Sequence, residues 1–235
     1  MNHVFVTGTS RGIGLEIVRQ LSERPKVTVY AACRNPEAAA ELQAVASNAR
    51  GTVHPIPLEV TDPAQIAATK EFVRSHTNVL DVLINNAGID PDDDKQRLGR
   101  IDPDVMLHTL HVNTVAPLLI AQAFVDLLQA SSLGRIINIS SEMGSIAQRN
   151  YGGSYAYCAS KAALNMSTRG LAADLGRQGI VCVTIDPGWV KTDMGGRNAP
   201  LEREESVLGL LRVIERLTRA DNGSYKRWNG RSLPW

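Results

Sequence analysis

Short, nearly unbroken apolar runs alternate along this chain with longer stretches of helical period, and that alternation constrains the fold more than any other feature. HVFVT (3–7), VTVYAAC (27–33), TVHPIPLEV (52–60), DVLIN (81–85), GRIINIS (134–140) and GIVCVTID (179–186) are rich in β-branched residues. Strands that read as continuous apolar runs belong to a parallel sheet covered on both faces. Helical periodicity fills the gaps at 12–24, 36–49, 63–77, 103–130 and 155–178, with a last segment at 201–219. A βαβα order with right-handed crossovers predicts an α/β fold, a doubly wound and mainly parallel sheet of about seven strands with helices on both faces. Near the end, Asn229-Gly230 sits between short runs and predicts a turn leading into a final edge strand. No internal repeat or linker interrupts the pattern, so residues 1–235 read as one domain.

Composition excludes several classes of partner. Lys+Arg is 25 against Asp+Glu 24, so no net field draws the chain to nucleic acid or to an anionic membrane. No apolar run approaches the roughly 18 residues of a bilayer span. The first apolar segment begins at His3 without a basic leader. Cys33, Cys158 and Cys182 are far apart and form no CxxC pair, which suits reduced core residues in the cytoplasm.

TGTSRGIG (7–14) follows the first strand and opens the first helix. Gly8, Gly12 and Gly14 would let the backbone turn tightly and approach a pyrophosphate, whose charge a helix N-terminus stabilises. A plain turn capped by Thr9 or Ser10 would use the same glycines. The position straight after strand one favours nucleotide binding on a Rossmann-type sheet. An NAD site usually carries an acid about 20 residues further on. Here the second strand ends AACRN, with Arg34 and no acid, and Arg11 lies within the glycine loop itself. Two guanidiniums suit a ribose 2′-phosphate, so NADP(H) is expected over NAD(H), although both could be solvated surface groups.

The chemistry centres on SYAYCASKAALN (154–165). Side chains four apart on a helix share a face, which pairs Tyr157 with Lys161 and leaves Tyr155 elsewhere. A nearby cation favours the phenolate and lowers a phenol's pKa from its reference near 10. In the reducing direction the phenol would donate its proton to a carbonyl oxygen as hydride reaches carbon. An exposed helical pair is the alternative. The strand IINISS (136–141) stops at two serines, and NNAG (85–88) closes the strand before it, both at ends where open α/β sheets bind ligands. Pro117 has no N–H, so the carbonyl of Asn113 loses its usual partner four residues on and could hold a water connecting a lysine to solvent. The alternative is that Pro117 merely bends a long helix.

Taken together, TGxxxGxG, NNAG, an Asn, a Ser, YxxxK and PG-x-x-x-T run in order along essentially the whole chain. The chain resembles the short-chain dehydrogenase/reductase family. PGWVKTDMGG with a closing LPW is similar to its C-factor/sniffer-like branch, which includes carbonyl reductases and a bacterial signalling protein. An NADPH-dependent carbonyl reductase is implied, with a dinucleotide-binding signalling protein of little turnover as the alternative. The resemblance implies a catalytic tetrad of Asn113, Ser141, Tyr157 and Lys161. In it Tyr157 is the acid/base, Ser141 polarises the carbonyl, Lys161 lowers the phenol's pKa and holds the nicotinamide ribose, and Asn113 anchors a relay water. It also implies cofactor contacts from Gly8, Ser10, Arg11, Gly12, Ile13 and Gly14, and from Arg34, Glu59 and Val60. Asn86, Ala87, Gly88, Pro187, Gly188 and Val190 would join them, with Thr192 on the carboxamide and Tyr157 and Lys161 beneath. The substrate implied is a small carbonyl compound or its alcohol, and the assembly a homodimer or homotetramer through the helices near 103–130 and 155–178. Two departures stand out. Glu59-Val60 replaces the family's Asp-Val, and the interval from Ser141 to Tyr157 is about three residues longer than usual, around 150–153.

Other signals are weaker. Met143, Tyr151, Trp189 and Met194 are candidates for an apolar substrate pocket. Gly195 and Gly196 could hinge a lid over about 189–205 or be ordinary turn glycines. Asp90, Asp92, Asp93 and Asp94 read as a solvated loop rather than a metal site, and His108 and His111 lack a third ligand, so no metal is expected.

Overall fold

A computed structural model describes every residue except Asp92, together with the side chains of all but Asp92 and Asp93. The acidic stretch that begins at Asp90 is therefore described only in part, and Asp92 lies outside the described residues.

Seven parallel strands form one sheet in the order β3-β2-β1-β4-β5-β6-β7. They are β1 (His3–Thr7), β2 (Thr28–Cys33), β3 (Thr52–Pro57), β4 (Val82–Asn85), β5 (Arg135–Ile139), β6 (Val181–Asp186) and β7 (Tyr225–Arg227). Among the described residues seven α-helices accompany them: α1 (Gly12–Ser22), α2 (Ala40–Ser47), α3 (Pro63–His76), α4 (Pro103–Leu110), α5 (Ala116–Gln129), α6 (Tyr155–Leu175) and α7 (Arg203–Arg216). Every residue of β4 and of β6 is buried, as continuous apolar strands require.

Alternation along each strand divides the core in two. Val4 and Val6 pack with Leu42 of α2, Ile17 and Leu21 of α1 and Leu210 and Ile214 of α7. Phe5, between them, faces Ile66 and Val73 of α3, Phe124 of α5 and Leu175 of α6. Asp62 and Asp102 cap α3 and α4, each accepting two first-turn N–H bonds ahead of a proline at the first helical position.

Three expectations change. The edge strand β7 precedes Asn229-Gly230 rather than following it. The turn brings the chain back only to an isolated antiparallel bridge between Lys226 and Ser232. Pro117 does more than bend its helix. A π-helical turn, His111–Val115, separates α4 from α5, with the Ala116 N–H reaching back to the His111 carbonyl. Finally, the continuous helix Pro103–Gln129 is long and apolar enough to cross a membrane by length and composition, with a mean hydropathy of 1.4. Half of an 18-residue window within it is buried in the fold, where Ile120, Phe124 and Leu128 belong to the core.

The chain order reverses between β1 and β4, so their carboxyl ends open onto a crevice. That crevice is where the sequence motifs meet.

Candidate active site

A cavity of about 580 Å³ lies outside the carboxyl ends of β1, β2, β4, β5 and β6, a size suited to a cofactor or ligand. Gly8, Ser10, Arg11, Gly12, Ile13 and Gly14 form one end, with Arg34, Glu59 and Val60 beside them. Asn86, Ala87 and Gly88 line the middle. Ser141, Tyr157 and Lys161 lie at the far end, with Pro187, Gly188, Val190 and Thr192 alongside.

The glycine loop is shaped by close approach. A Cβ on Gly14 would lie 2.1 Å from the Gly8 carbonyl oxygen, and one on Gly8 would meet the Ala87 Cα at 2.8 Å. A Cβ on Gly12 would make only ordinary contact with Thr192, at 3.7 Å, but its φ of +60° is one an L-residue adopts only with strain. Among the described residues no side chain caps α1, whose first N–H groups face the cavity. Those features fit a pyrophosphate. Arg34 is exposed at the end of β2 and makes no ion pair among the described residues. Arg11, equally exposed, pairs with Asp193 at 3.1 Å. The Glu59 carboxylate is engaged by the Thr61 N–H at 3.2 Å and by its hydroxyl at 3.0 Å, so it is turned into its own loop.

At the other end the side chains are buried and closely tied. Lys161 is 4% exposed and its Nζ donates to the Ile139 carbonyl at 2.9 Å. Burial lowers its pKa to about 8, with Asp90 opposing the shift. Nζ lies 5.6 Å from the centre of the Tyr157 ring. Burial also pushes the Tyr157 phenol above its ordinary value. Asp90 adds to the rise, and a hydrogen bond with the Ser141 side chain works against it. This corrects the expectation that Lys161 depresses the phenol. Desolvation of the phenolate is the largest cause, and Lys161, whose ammonium is bonded to a backbone carbonyl, is not among the groups that shift it.

Asn113 is not part of the cavity wall. It is buried behind the wall, where its Oδ1 accepts the Ile89 N–H at 2.8 Å and its Nδ2 donates to the Ile89 carbonyl and the Ser160 hydroxyl. Gly88 leaves room for it, since a Cβ there would lie 3.2 Å from Asn113 Oδ1. Met143, Trp189 and Met194 line the cavity. Tyr151 does not. It lies under the Arg149 guanidinium, 4.1 Å from the ring centre, and Arg149 is anchored by the Gly153 carbonyl and by Cys158 Sγ at 2.9 Å.

Sequence reading missed several supports. Ser154, at the start of α6, is left-handed (φ 46°) and gives no side-chain cap. Gln96 supplies one from a distant loop, its Oε1 accepting the Tyr157 N–H at 2.9 Å while its amide holds Pro91 and Asp90. No local signal marks Gln96. Asp186, another cavity residue, was visible as a carboxylate ending the apolar strand VCVTID.

The family model for short chain dehydrogenase matches residues 2–202. The chain belongs to the short-chain dehydrogenase/reductase family. Among the relatives of this short-chain dehydrogenase/reductase, C-signal of Myxococcus xanthus is 42% identical over 159 residues, covering 68% of this chain and 95% of that protein. Among solved structures, the NADPH-bound carbonyl reductase from chicken fatty liver has a TM-score of 0.93 at 40% identity, covering 100% of this chain and 99% of that one. Carbonyl reductase Sniffer of D. melanogaster has a TM-score of 0.95 at 36% identity over 100% of both chains. The seven-stranded parallel sheet with helices on both faces is thus a fold shared with these reductases.

Proposed function

We propose that this short-chain dehydrogenase/reductase is an NADPH-dependent carbonyl reductase, acting reversibly on the corresponding alcohol. One observation carries the reading: Ser141, Tyr157 and Lys161 converge at one end of a cavity whose other end is a glycine loop and an open helix N-terminus. When bound, the reduced dinucleotide supplies the hydride that reaches the carbonyl carbon. The glycine loop and α1 hold the pyrophosphate, Arg34 reads the 2′-phosphate, and Thr192 with Lys161 orients the nicotinamide end. Thr192 already has its hydroxyl fixed, accepting the Gly195 N–H at 3.0 Å.

Ser141 donates to the substrate oxygen, and Tyr157 gives that oxygen its proton. A phenol held protonated by burial suits this direction, because the acid form is present throughout the neutral range. Asn113, through its backbone carbonyl, anchors the water that restores the proton by way of Lys161. The segment 189–205 acts as a lid. Its base is closed by a bridge between Val190 and Leu201, and Trp189, whose Nε1 donates to the Gly195 carbonyl at 2.7 Å, is 57% exposed beside the cavity. Residues 1–235 work as a single cytoplasmic NADP(H)-binding domain, assembled as a homodimer or homotetramer over α4, α5 and α6. Leu107, Val115 and Met166 are exposed on those helices and their π-helical join.

The likeness to C-signal favours a second reading, a dinucleotide-binding signalling protein with little turnover. One experiment separates the two. Purified protein is given NADPH with a panel of aldehydes, ketones and quinones, and loss of NADPH absorbance is followed. Turnover on members of the panel supports the reductase. Tight NADPH binding with no turnover on any member supports the signalling protein.

A further inference from the structure

The peptide that joins Ser141 to Glu142 is held at both ends by side chains from neighbouring strands. Its carbonyl, that of Ser141, accepts the Tyr225 hydroxyl and also the Gly144 N–H at 2.8 Å. Its N–H, that of Glu142, donates to Asp186 Oδ1 at 3.1 Å. Asp186 ends β6 and Tyr225 opens β7, and their parallel register sets Asp186 beside Arg227. The Arg227 guanidinium pairs with the Glu142 carboxylate and brings its Nε 3.5 Å from Asp186 Oδ2.

These groups are expensive to place here. Asp186 and Tyr225 are each 2% exposed, and a buried carboxylate costs several kcal/mol when its charge is not fully matched. Burial raises the Asp186 carboxyl to about 6, with a bond from the Gly188 N–H opposing. Among the described residues Asp186 belongs to no group of three or more His, Cys, Asp or Glu that could hold an ion. What it touches is the peptide after Ser141.

A planar peptide turns only through the soft dihedrals on either side of it. Fixing both its C=O and its N–H removes that rotation and sets the direction of the preceding side chain. We infer that Asp186 and Tyr225 are positioning residues that clamp the Ser141–Glu142 peptide and so aim the Ser141 hydroxyl at the substrate oxygen. Tyr225 is itself backed by the Trp235 ring at 5.2 Å, and Ser145 of the same loop donates to the Pro234 carbonyl at 2.7 Å. The inference rests on the carbonyl-reductase reading of Ser141.

The test is a double-mutant cycle between Tyr225→Phe and Ser141→Ala, run with NADPH and 4-nitrobenzaldehyde. Tyr225→Phe should lower kcat about ten- to hundredfold, the scale of a misaimed catalytic group, and leave the KM for NADPH unchanged. Combined with Ser141→Ala it should cost less than about twofold more, because the clamp then has nothing left to aim. Asp186→Asn, run through the same cycle, carries the test should Tyr225→Phe fail to fold. An equal loss in both backgrounds, or no loss beside the native serine, overturns the clamp and leaves the reductase reading standing. Full activity in Ser141→Ala alone overturns the reading of Ser141, and the clamp with it.

Discussion

The two ends of the crevice are built by opposite means. At the nucleotide end the chain removes side chains. Gly14 and Gly8 admit backbone to within contact distances that no Cβ would survive, and the charged groups present, Arg11 and Arg34, remain in solvent. At the chemical end the chain adds buried polar side chains and ties them down, Lys161 to Ile139 and Asn113 to Ile89 and Ser160, while Gln96 holds the backbone N–H of Tyr157. The first arrangement recognises charge by backbone shape, and screening by solvent keeps any one arginine's contribution modest. The second fixes a few atoms in a low-dielectric pocket, where a single group can carry most of a rate effect. Changes at the chemical end should therefore act on kcat and changes at the nucleotide end on affinity.

Removing the phenol is the hardest test of that contrast. Tyr157→Phe should lower kcat for carbonyl reduction by about 10²–10⁴-fold, the usual contribution of a general acid, while NADPH titration shows affinity nearly unchanged. A phenylalanine variant as fast as the native chain would remove Tyr157 from the chemistry. Arg34→Asp should do the reverse. Losing a charge-assisted bond to a 2′-phosphate and placing an acid there should weaken NADPH by about ten- to a hundredfold, with NADH little affected and kcat at saturation preserved. Equal weakening of both cofactors would mean that Arg34 does not read the phosphate.

Legibility divides along the same line. The sheet could be read because parallel strands buried on both sides must be apolar throughout, and all six expected runs became strands. The glycine loop was legible because a backbone that needs room leaves a spacing in the sequence, and Tyr157 with Lys161 because four residues make nearly one turn. Supports contributed from far along the chain were not legible. Gln96 reaches Tyr157 across 61 positions, and Tyr225 reaches Ser141 across 84, through register that no local pattern specifies. The sign of the Tyr157 shift was also out of reach, since i,i+4 spacing brings Lys161 near but carries no information about burial. Tyr151 failed as a pocket residue for a related reason: Arg149, anchored by Gly153 and Cys158, holds its ring away from the cavity.

Lys161 gives the comparison a pH dependence. Burial lowers its pKa to about 8, so in the free protein it is charged below that value and loses its proton as pH rises through it. If the ammonium is the form that orients the nicotinamide ribose, kcat/KM for NADPH should be level below about pH 8 and fall by about tenfold per pH unit above it. Lys161→Arg keeps its charge at every accessible pH, so that limb should vanish even though the larger guanidinium lowers activity overall. A limb at the same pH in the arginine variant would assign it to another group.

The smallest effect expected tests whether the nucleotide end is as loosely held as its exposure implies. Arg11 belongs to the glycine loop but is paired with Asp193, a residue of the lid segment, and both side chains are about three-quarters exposed. A guanidinium committed to Asp193 is less available to a phosphate, so the pair competes with cofactor binding. Asp193→Asn should therefore tighten NADPH only two- to threefold at low ionic strength, and the gain should disappear in high salt, as exposed pairs do. In an Arg11→Ala background the same substitution should change nothing. If instead Asp193→Asn weakened NADPH in both backgrounds, the aspartate would be holding the lid in place, and the solvent-facing end of the crevice would depend on fixed side chains as much as the buried end does.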